Sequence, residues 1–287
     1  MGKGQKTGLV LEGGGMRGMF TAGVLDVLME NGISFDGVIG VSAGAIHGCS
    51  FVSGQKGRSI RYYKKYYKDS RFMSWRNFFR TGDLVDEKFC YHDLPETLDP
   101  YDYEAFGRSE TEFYVTCTDL ETGKPVYARI TDMRSQIDLM RASASMPYVS
   151  RIVEADGRKL LDGGCSDSIP VRAFMDMGYE RNVVVLTRPE RYRKKPERAG
   201  LGKLVYRKYP EFVRAVENRP ADYNRSVKDI GDLERQGKIF VIRPEKALRI
   251  GRMSHDLSEI TEAYETGRRE GERRLEKLLQ WKGEGQK

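Results

Sequence analysis

Residues 35 to 51 read Phe35-Asp-Gly-Val-Ile-Gly40-Val-Ser42-Ala-Gly44-Ala-Ile-His-Gly-Cys-Ser-Phe51. A short apolar strand, Phe35 to Ile39, runs into a glycine-flanked serine and then into a small-residue helix, Ala45 to Phe51. The same order stands just upstream. Thr7-Gly-Leu-Val-Leu-Glu12 is a buried strand, Gly13-Gly-Gly-Met-Arg-Gly18 a turn, and Phe20, Val24, Val27 and Leu28 one face of a helix that Asn31-Gly32 stops. Strand, turn and helix repeated in this way predict a parallel sheet with helices packed on its faces.

Working outward, Phe113 to Thr118 reads as a further strand with Lys124 to Ile130 as its neighbour, and Gln136 to Ser145 as a helix. Lys159 to Leu161 is a brief strand ending in Asp162-Gly163-Gly164, and Asn182 to Thr187 is an apolar one. Residues 58 to 80 are rich in Arg, Lys, Tyr and Phe. Residues 83 to 110 look like a polar excursion from the sheet. Residues 188 to 198, with Pro189 and Pro196, read as a charged linker. Beyond it lie a strand at Ile239 to Ile242 and a helical pattern from Leu257 through Ile260, Tyr264, Gly267, Gly271 and Leu275 to Leu278. The expected fold is a three-layer α/β/α sandwich with a mostly parallel central sheet. A first domain over 7–190 is followed by a largely helical extension over 191–287 that packs on it.

The 287 residues suffice for one large α/β domain with a sizeable core. With 39% apolar and 32% charged residues the composition is that of a globular chain. No apolar run approaches the ~20 residues of a membrane-spanning helix. Met1 to Lys6 shows neither a secretory signal nor a myristoylation pattern. Cys49, Cys90, Cys117 and Cys165 are widely spaced, which favours reduced thiols and a cytoplasmic location. The net charge of +7 comes without any nucleic-acid-binding motif.

Three segments carry chemistry. Gly40-Val-Ser42-Ala-Gly44 is a nucleophile elbow, in which small neighbours let a serine project from a sharp strand-to-helix turn. In Gly13-Gly14-Gly15-Met16-Arg17-Gly18, successive glycines leave backbone N–H groups open to an oxyanion. Asp162-Gly163-Gly164 puts a carboxylate at a strand end where a loop can approach closely. In this order the three resemble the signatures of the patatin-like phospholipase family, most closely its bacterial members, and Arg141-Ala-Ser-Ala-Ser-Met-Pro147 resembles the family's segment ahead of the base. The resemblance covers roughly residues 7 to 190. It implies hydrolysis of lipid acyl esters by a Ser42–Asp162 dyad, through an acyl-Ser42 intermediate, with no metal and no cofactor. The oxyanion would rest on the amides of Gly14, Gly15 and Met16, with Arg17 bracing the loop or helping to place negative charge.

Other readings compete. Gly13 to Gly18 also fits a dinucleotide fingerprint, and Asp36 lies near the spacing of a ribose-binding acid, although at the wrong end of its strand. A conventional Ser–acid–His order is formally available through His255, with His47 and His92 placed less suitably. A non-catalytic lipid-binding module could retain the same fold. In Arg58 to Lys68, tyrosines interleaved with Arg58, Arg61, Lys64, Lys65 and Lys68 read as a solvated helix covering the core, or as a transient contact for an anionic membrane surface. A lid, or the whole segment over 58–80, could also gate the site.

Overall fold

The computed structural model describes residues 5–196 and 200–284. Met1 to Gly4, part of the segment tested for a leader, and residues 197–199 of the expected linker lie outside the described residues.

The strands are β1 (Thr7–Leu11), β2 (Gly37–Val41), β3 (Glu112–Asp119), β4 (Pro125–Ile130), β5 (Val153–Ala155), β6 (Arg158–Asp162), β7 (Arg181–Val185) and β8 (Ile239–Ile242). They form one sheet in the order β5-β6-β3-β2-β1-β7-β8, with β4 also paired to β3. The run β3-β2-β1-β7-β8 is parallel, whereas β4, β5 and β6 join by antiparallel pairing. Strands buried on both faces are apolar nearly throughout, as parallel sheets require. In β1, Leu9 and Leu11 enter one core and Val10 the other, because successive side chains of a strand point to opposite faces.

The helices are α1 (Gly18–Glu30), α2 (Ala43–Val52), α3 (Arg58–Tyr66), α4 (Trp75–Thr81), a π-helix over Phe89–Leu98, α5 (Tyr103–Arg108), α6 (Ile137–Ala144), α7 (Val171–Asp176), α8 (Gly200–Val205), α9 (Pro210–Arg235) and α10 (Leu257–Glu284). On one face, Phe20, Val24 and Leu28 of α1, Phe51 of α2 and Leu278 of α10 pack against the sheet. On the other, Phe174 of α7 joins Tyr223, Val227 and Ile230 of α9. This is the three-layer sandwich.

Two local expectations need correction. The α1 pattern implied one buried face, but Gly18 through Leu28 are all buried. The cause is α10, which crosses α1 so closely that a Cβ on Gly267 would lie 2.0 Å from the Phe20 carbonyl oxygen. The polar excursion is not simply polar, since Phe89 and Leu94 of the π-helix are buried with Tyr62 and Phe72. Beyond the expected linker, β8 pairs with β7, so the extension adds a strand to the sheet.

Candidate active site

Ser42 stands between β2 and α2 at φ 54° and ψ −122°. A residue with a Cβ held at positive φ costs on the order of 1–3 kcal/mol, and such strain persists only where its surroundings enforce it. The flanking glycines supply that enforcement. A Cβ on Gly40 would lie 2.5 Å from Ala45 Cα, and one on Gly44 would lie 2.4 Å from the Leu11 carbonyl oxygen. The Ser42 amide donates to Ser143 Oγ at 3.0 Å, and that hydroxyl donates to the Thr116 carbonyl at 2.7 Å. The N-terminus of α2 begins at the next residue, a polarity that favours negative charge beside Ser42.

Asp162 arrives by register. Val41 pairs with Thr116 of β3, and the next β3 residue, Cys117, pairs with Asp162 of β6. Thus β6 takes the place beside β3 that β2 leaves when the chain turns at Ser42. The Asp162 amide donates to the Ser145 carbonyl at 2.9 Å, and its Oδ1 accepts from the Gly164 amide at 2.7 Å. A Cβ on Gly163 would strike the Thr116 carbonyl oxygen at 2.1 Å. The segment Arg141 to Pro147 therefore braces both halves of the site, through Ser143 on the elbow and Ser145 on the base strand.

The glycine-rich loop leaves β1 beside them. Glu12, at its start, is buried and accepts from the Thr187 amide at 2.5 Å, Thr187 Oγ1 at 3.1 Å and Tyr223 Oη at 2.9 Å. Among the described residues, the Gly14 and Gly15 amides have no acceptor. The Met16 amide does have one, donating to the Arg252 carbonyl at 3.0 Å, so it is not open to an oxyanion in this arrangement. That corrects the expectation of three equivalent donors. Gly18 starts α1, and a Cβ there would lie 2.6 Å from Ala43 Cβ. Arg17 is buried, and burial, with Arg188 and Arg252 nearby, pushes its guanidinium down to about 10.

One cavity is lined by Gly13, Gly14, Gly15, Arg17, Ser42, Asp162 and Gly164. A second, mostly apolar, opens from Ser42 between Ile46, Tyr62, Tyr63, Phe72, Leu94 and Met140. Ser42, Gly15, Met146 and Arg252 border both. Among the described residues no hydrogen bond joins Ser42 Oγ to Asp162, and such contacts commonly tighten only once substrate is bound.

No histidine borders either cavity. His47 is buried on α2, on the side facing α3, where its Nδ1 meets Ser59 Oγ at 2.9 Å, and burial lowers it to about 4. His92 and His255 are exposed. Asp36 lies at the N-terminal end of β2, away from the glycine loop, and accepts from the Thr7 amide and hydroxyl. The membrane cluster loses a member as well. Arg58 is buried against Asp99, its Nε 3.3 Å from the carboxylate, and stacks on Tyr62 and Tyr101. Arg61 also grips Asp99, while Lys64, Lys65 and Lys68 remain exposed.

The site stands on a mixed-sheet α/β fold, and at family level comparison with known proteins supports a lipid ester hydrolase. A family model described as patatin-like phospholipase matches residues 9–175, and the chain belongs to that family. A second model, described only as a domain of unknown function (DUF6363), matches residues 209–283. The chain is 30% identical to the uncharacterized protein YjjU of Escherichia coli over 271 residues, 91% of this chain and 74% of that one. It is 28% identical to the uncharacterized NTE family protein Rv1063c of Mycobacterium tuberculosis, matching 63% of this chain and 48% of that protein. It is also 28% identical to lysophospholipase nte1 of Aspergillus terreus, where the match spans 61% of this chain and 11% of the fungal protein. Among solved structures, VipD from Legionella pneumophila shares the fold with a TM-score of 0.50 at 14% identity, over 95% of this chain and 67% of that one.

Proposed function

We propose that this chain hydrolyses carboxylic esters of lipids through a Ser42–Asp162 dyad. The observation that carries the reading is the single cavity holding Ser42 on its strained turn, Asp162 and the Gly14 and Gly15 amides, with an apolar cavity opening from Ser42. The acyl chain lies in the apolar cavity. Ser42 Oγ attacks the ester carbonyl carbon while the Asp162 carboxylate takes its proton. The oxyanion forms against the Gly14 and Gly15 amides, where each fixed donor contributes ~3 kcal/mol to lowering the barrier. Collapse expels the alcohol, which takes the proton from Asp162. Asp162 then deprotonates a water that attacks acyl-Ser42, and as the bond to Ser42 Oγ breaks Asp162 returns the proton to it, releasing the fatty acid.

Four unpaired cysteines fit a cytoplasmic setting. Among the described residues no helix is long and apolar enough to cross a membrane. Lys64 and Lys65 on α3, with Lys68 just beyond its end, form a cationic edge for transient contact with anionic lipid. The test is turnover of a p-nitrophenyl acyl ester. The unaltered chain should hydrolyse it and Ser42→Ala should fall to background; full activity in Ser42→Ala contradicts the reading.

A further inference from the structure

The cavity beyond Ser42 has a wall that no catalytic motif accounts for. Arg188 follows β7, Lys194 lies in the segment after it, Arg219 stands on α9, and Arg252 precedes α10. With Arg17 they put five cationic side chains around one cavity, against two carboxylates, Glu12 and Asp162. Glu12 is already satisfied by Thr187 and Tyr223. Arg17 is only 6% exposed, and among the described residues it has no carboxylate within 4.0 Å and no acceptor for its Nε. The Nε of Arg219 is likewise buried without an acceptor. Arginines elsewhere in the fold are commonly paired, as Arg151 is with Asp83 and Arg141 with Glu87.

Arg17 is buried and Arg188 and Arg219 are half-buried, and guanidinium groups drawn even partly out of water close together are costly to hold unless an anion joins them. Their planar forks suit the oxygens of a phosphate, which they can bind in bidentate fashion. The position of the group gives it a role. Arg219 Nη2 lies 3.4 Å from where a Cβ on Gly164 would stand, beside the turn that carries Asp162. The apolar cavity leaves Ser42 between different residues. An ester seated with its acyl chain there would present its alcohol portion to the cations.

We infer that the C-terminal part of the chain, which includes the stretch matched only to a domain of unknown function, completes with Arg188 after β7 a phosphate-binding subsite for the alcohol portion of the substrate. Arg188 and Arg219 act in it as specificity-determining residues. The inference rests on the Ser42 reading for its orientation. It assigns the C-terminal segment the discrimination of phosphorylated leaving groups, such as glycerol phosphates, from neutral ones.

The experiment compares kcat/KM of the full chain on a 1-acyl lysophosphatidylglycerol and on the monoacylglycerol of the same acyl chain, both in neutral detergent micelles. The phosphorylated ester should be preferred. Arg188→Gln and Arg219→Gln should each cut the preference ratio by about fivefold or more, as loss of a charge-assisted hydrogen bond does. Arg219→Lys should retain part of it. Arg108→Gln, which removes a cation from the exposed end of α5, should leave the ratio unchanged. An unaltered ratio in the Arg188→Gln/Arg219→Gln double variant overturns the inference. Glycerol 3-phosphate should inhibit turnover of the phosphorylated ester, and less so in the variants. If inorganic phosphate inhibits as strongly while no ester preference exists, the site takes free phosphate and the leaving-group role is overturned. A chain inactive on both esters would sink the Ser42 reading instead. Glycerol 3-phosphate should even then raise the thermal midpoint, and its failure to do so, or an equal rise in the double variant, overturns the subsite.

Discussion

The carbonyl of Arg252 rests on the glycine-rich loop at Gly15. The neighbouring Met16 amide donates to it at 3.0 Å, and a Cβ on Gly15 would lie 2.5 Å from its oxygen. Gly15 also sits at φ +57°, in the left-handed region that side chains resist. The segment leading into α10 therefore holds the loop in the shape that leaves the Gly14 and Gly15 amides open. Gly15→Ala should displace the loop, with ester turnover falling by about 100-fold and the thermal midpoint by a few degrees. Gly107→Ala, at a position with no neighbour within 4 Å, should do neither. Equal activity in the two variants would show that the clamp at Gly15 does not matter.

Asp162→Asn keeps the side chain's shape but removes the proton acceptor, so turnover should fall by at least about 100-fold. His92→Gln and His255→Gln should retain most activity, since neither residue borders the cavities. Steady-state rates on one p-nitrophenyl ester decide the point. Abolished turnover in folded His255→Gln would replace the dyad with a triad.

His47 gives a pH signature of stability. Burial lowers it to about 4 from the ordinary 6.5, so between those values the unfolded chain binds a proton that the folded one refuses. Stability is then complete above 6.5 and is lost as pH falls toward 4. By pH 5 the loss amounts to about 2 kcal/mol. Urea midpoints measured between pH 7.5 and 5 should fall for the unaltered chain and fall less for His47→Gln. Parallel slopes would mean that His47 does not titrate in this range.

Contact with lipid surfaces should depend on Lys64, Lys65 and Lys68, each worth ~1 kcal/mol near an anionic surface. Co-sedimentation with anionic vesicles should weaken at high salt, where the Debye length falls to about 3 Å at 1 M. It should also weaken when the three lysines become Gln. Arg58 should contribute nothing, because Asp99 holds it inside. Equal binding to anionic and zwitterionic vesicles would remove the electrostatic contact.

Much of the fold was legible in the sequence. β1, β2 and β7 are apolar runs flanked by glycine or charged residues, and each strand-turn-helix passage is local. The elbow and the Asp162 turn could also be read, because close backbone approach demands glycine at particular spacings. The polar wall could not. Arg188, Arg219 and Arg252 lie far apart along the chain, and only the segment after β7, α9 and the loop before α10 bring them to one cavity with Ser42. The partner of Arg58 was hidden for the same reason: Asp99 is 41 residues away. α9 left a signal in Phe212, Tyr223, Val227, Ile230 and Leu233, but that spacing reports burial and does not say that Arg219, which falls on the same face, meets a cavity there.

The central claim is that Ser42 becomes acylated, and the most direct measurement is reaction of the folded chain with a fluorophosphonate, followed by peptide mapping. The account predicts one adduct, on the peptide containing Ser42, formed at a lower rate in Asp162→Asn and absent in Ser42→Ala. An adduct on any other serine, or none under conditions where the chain hydrolyses esters, would contradict it.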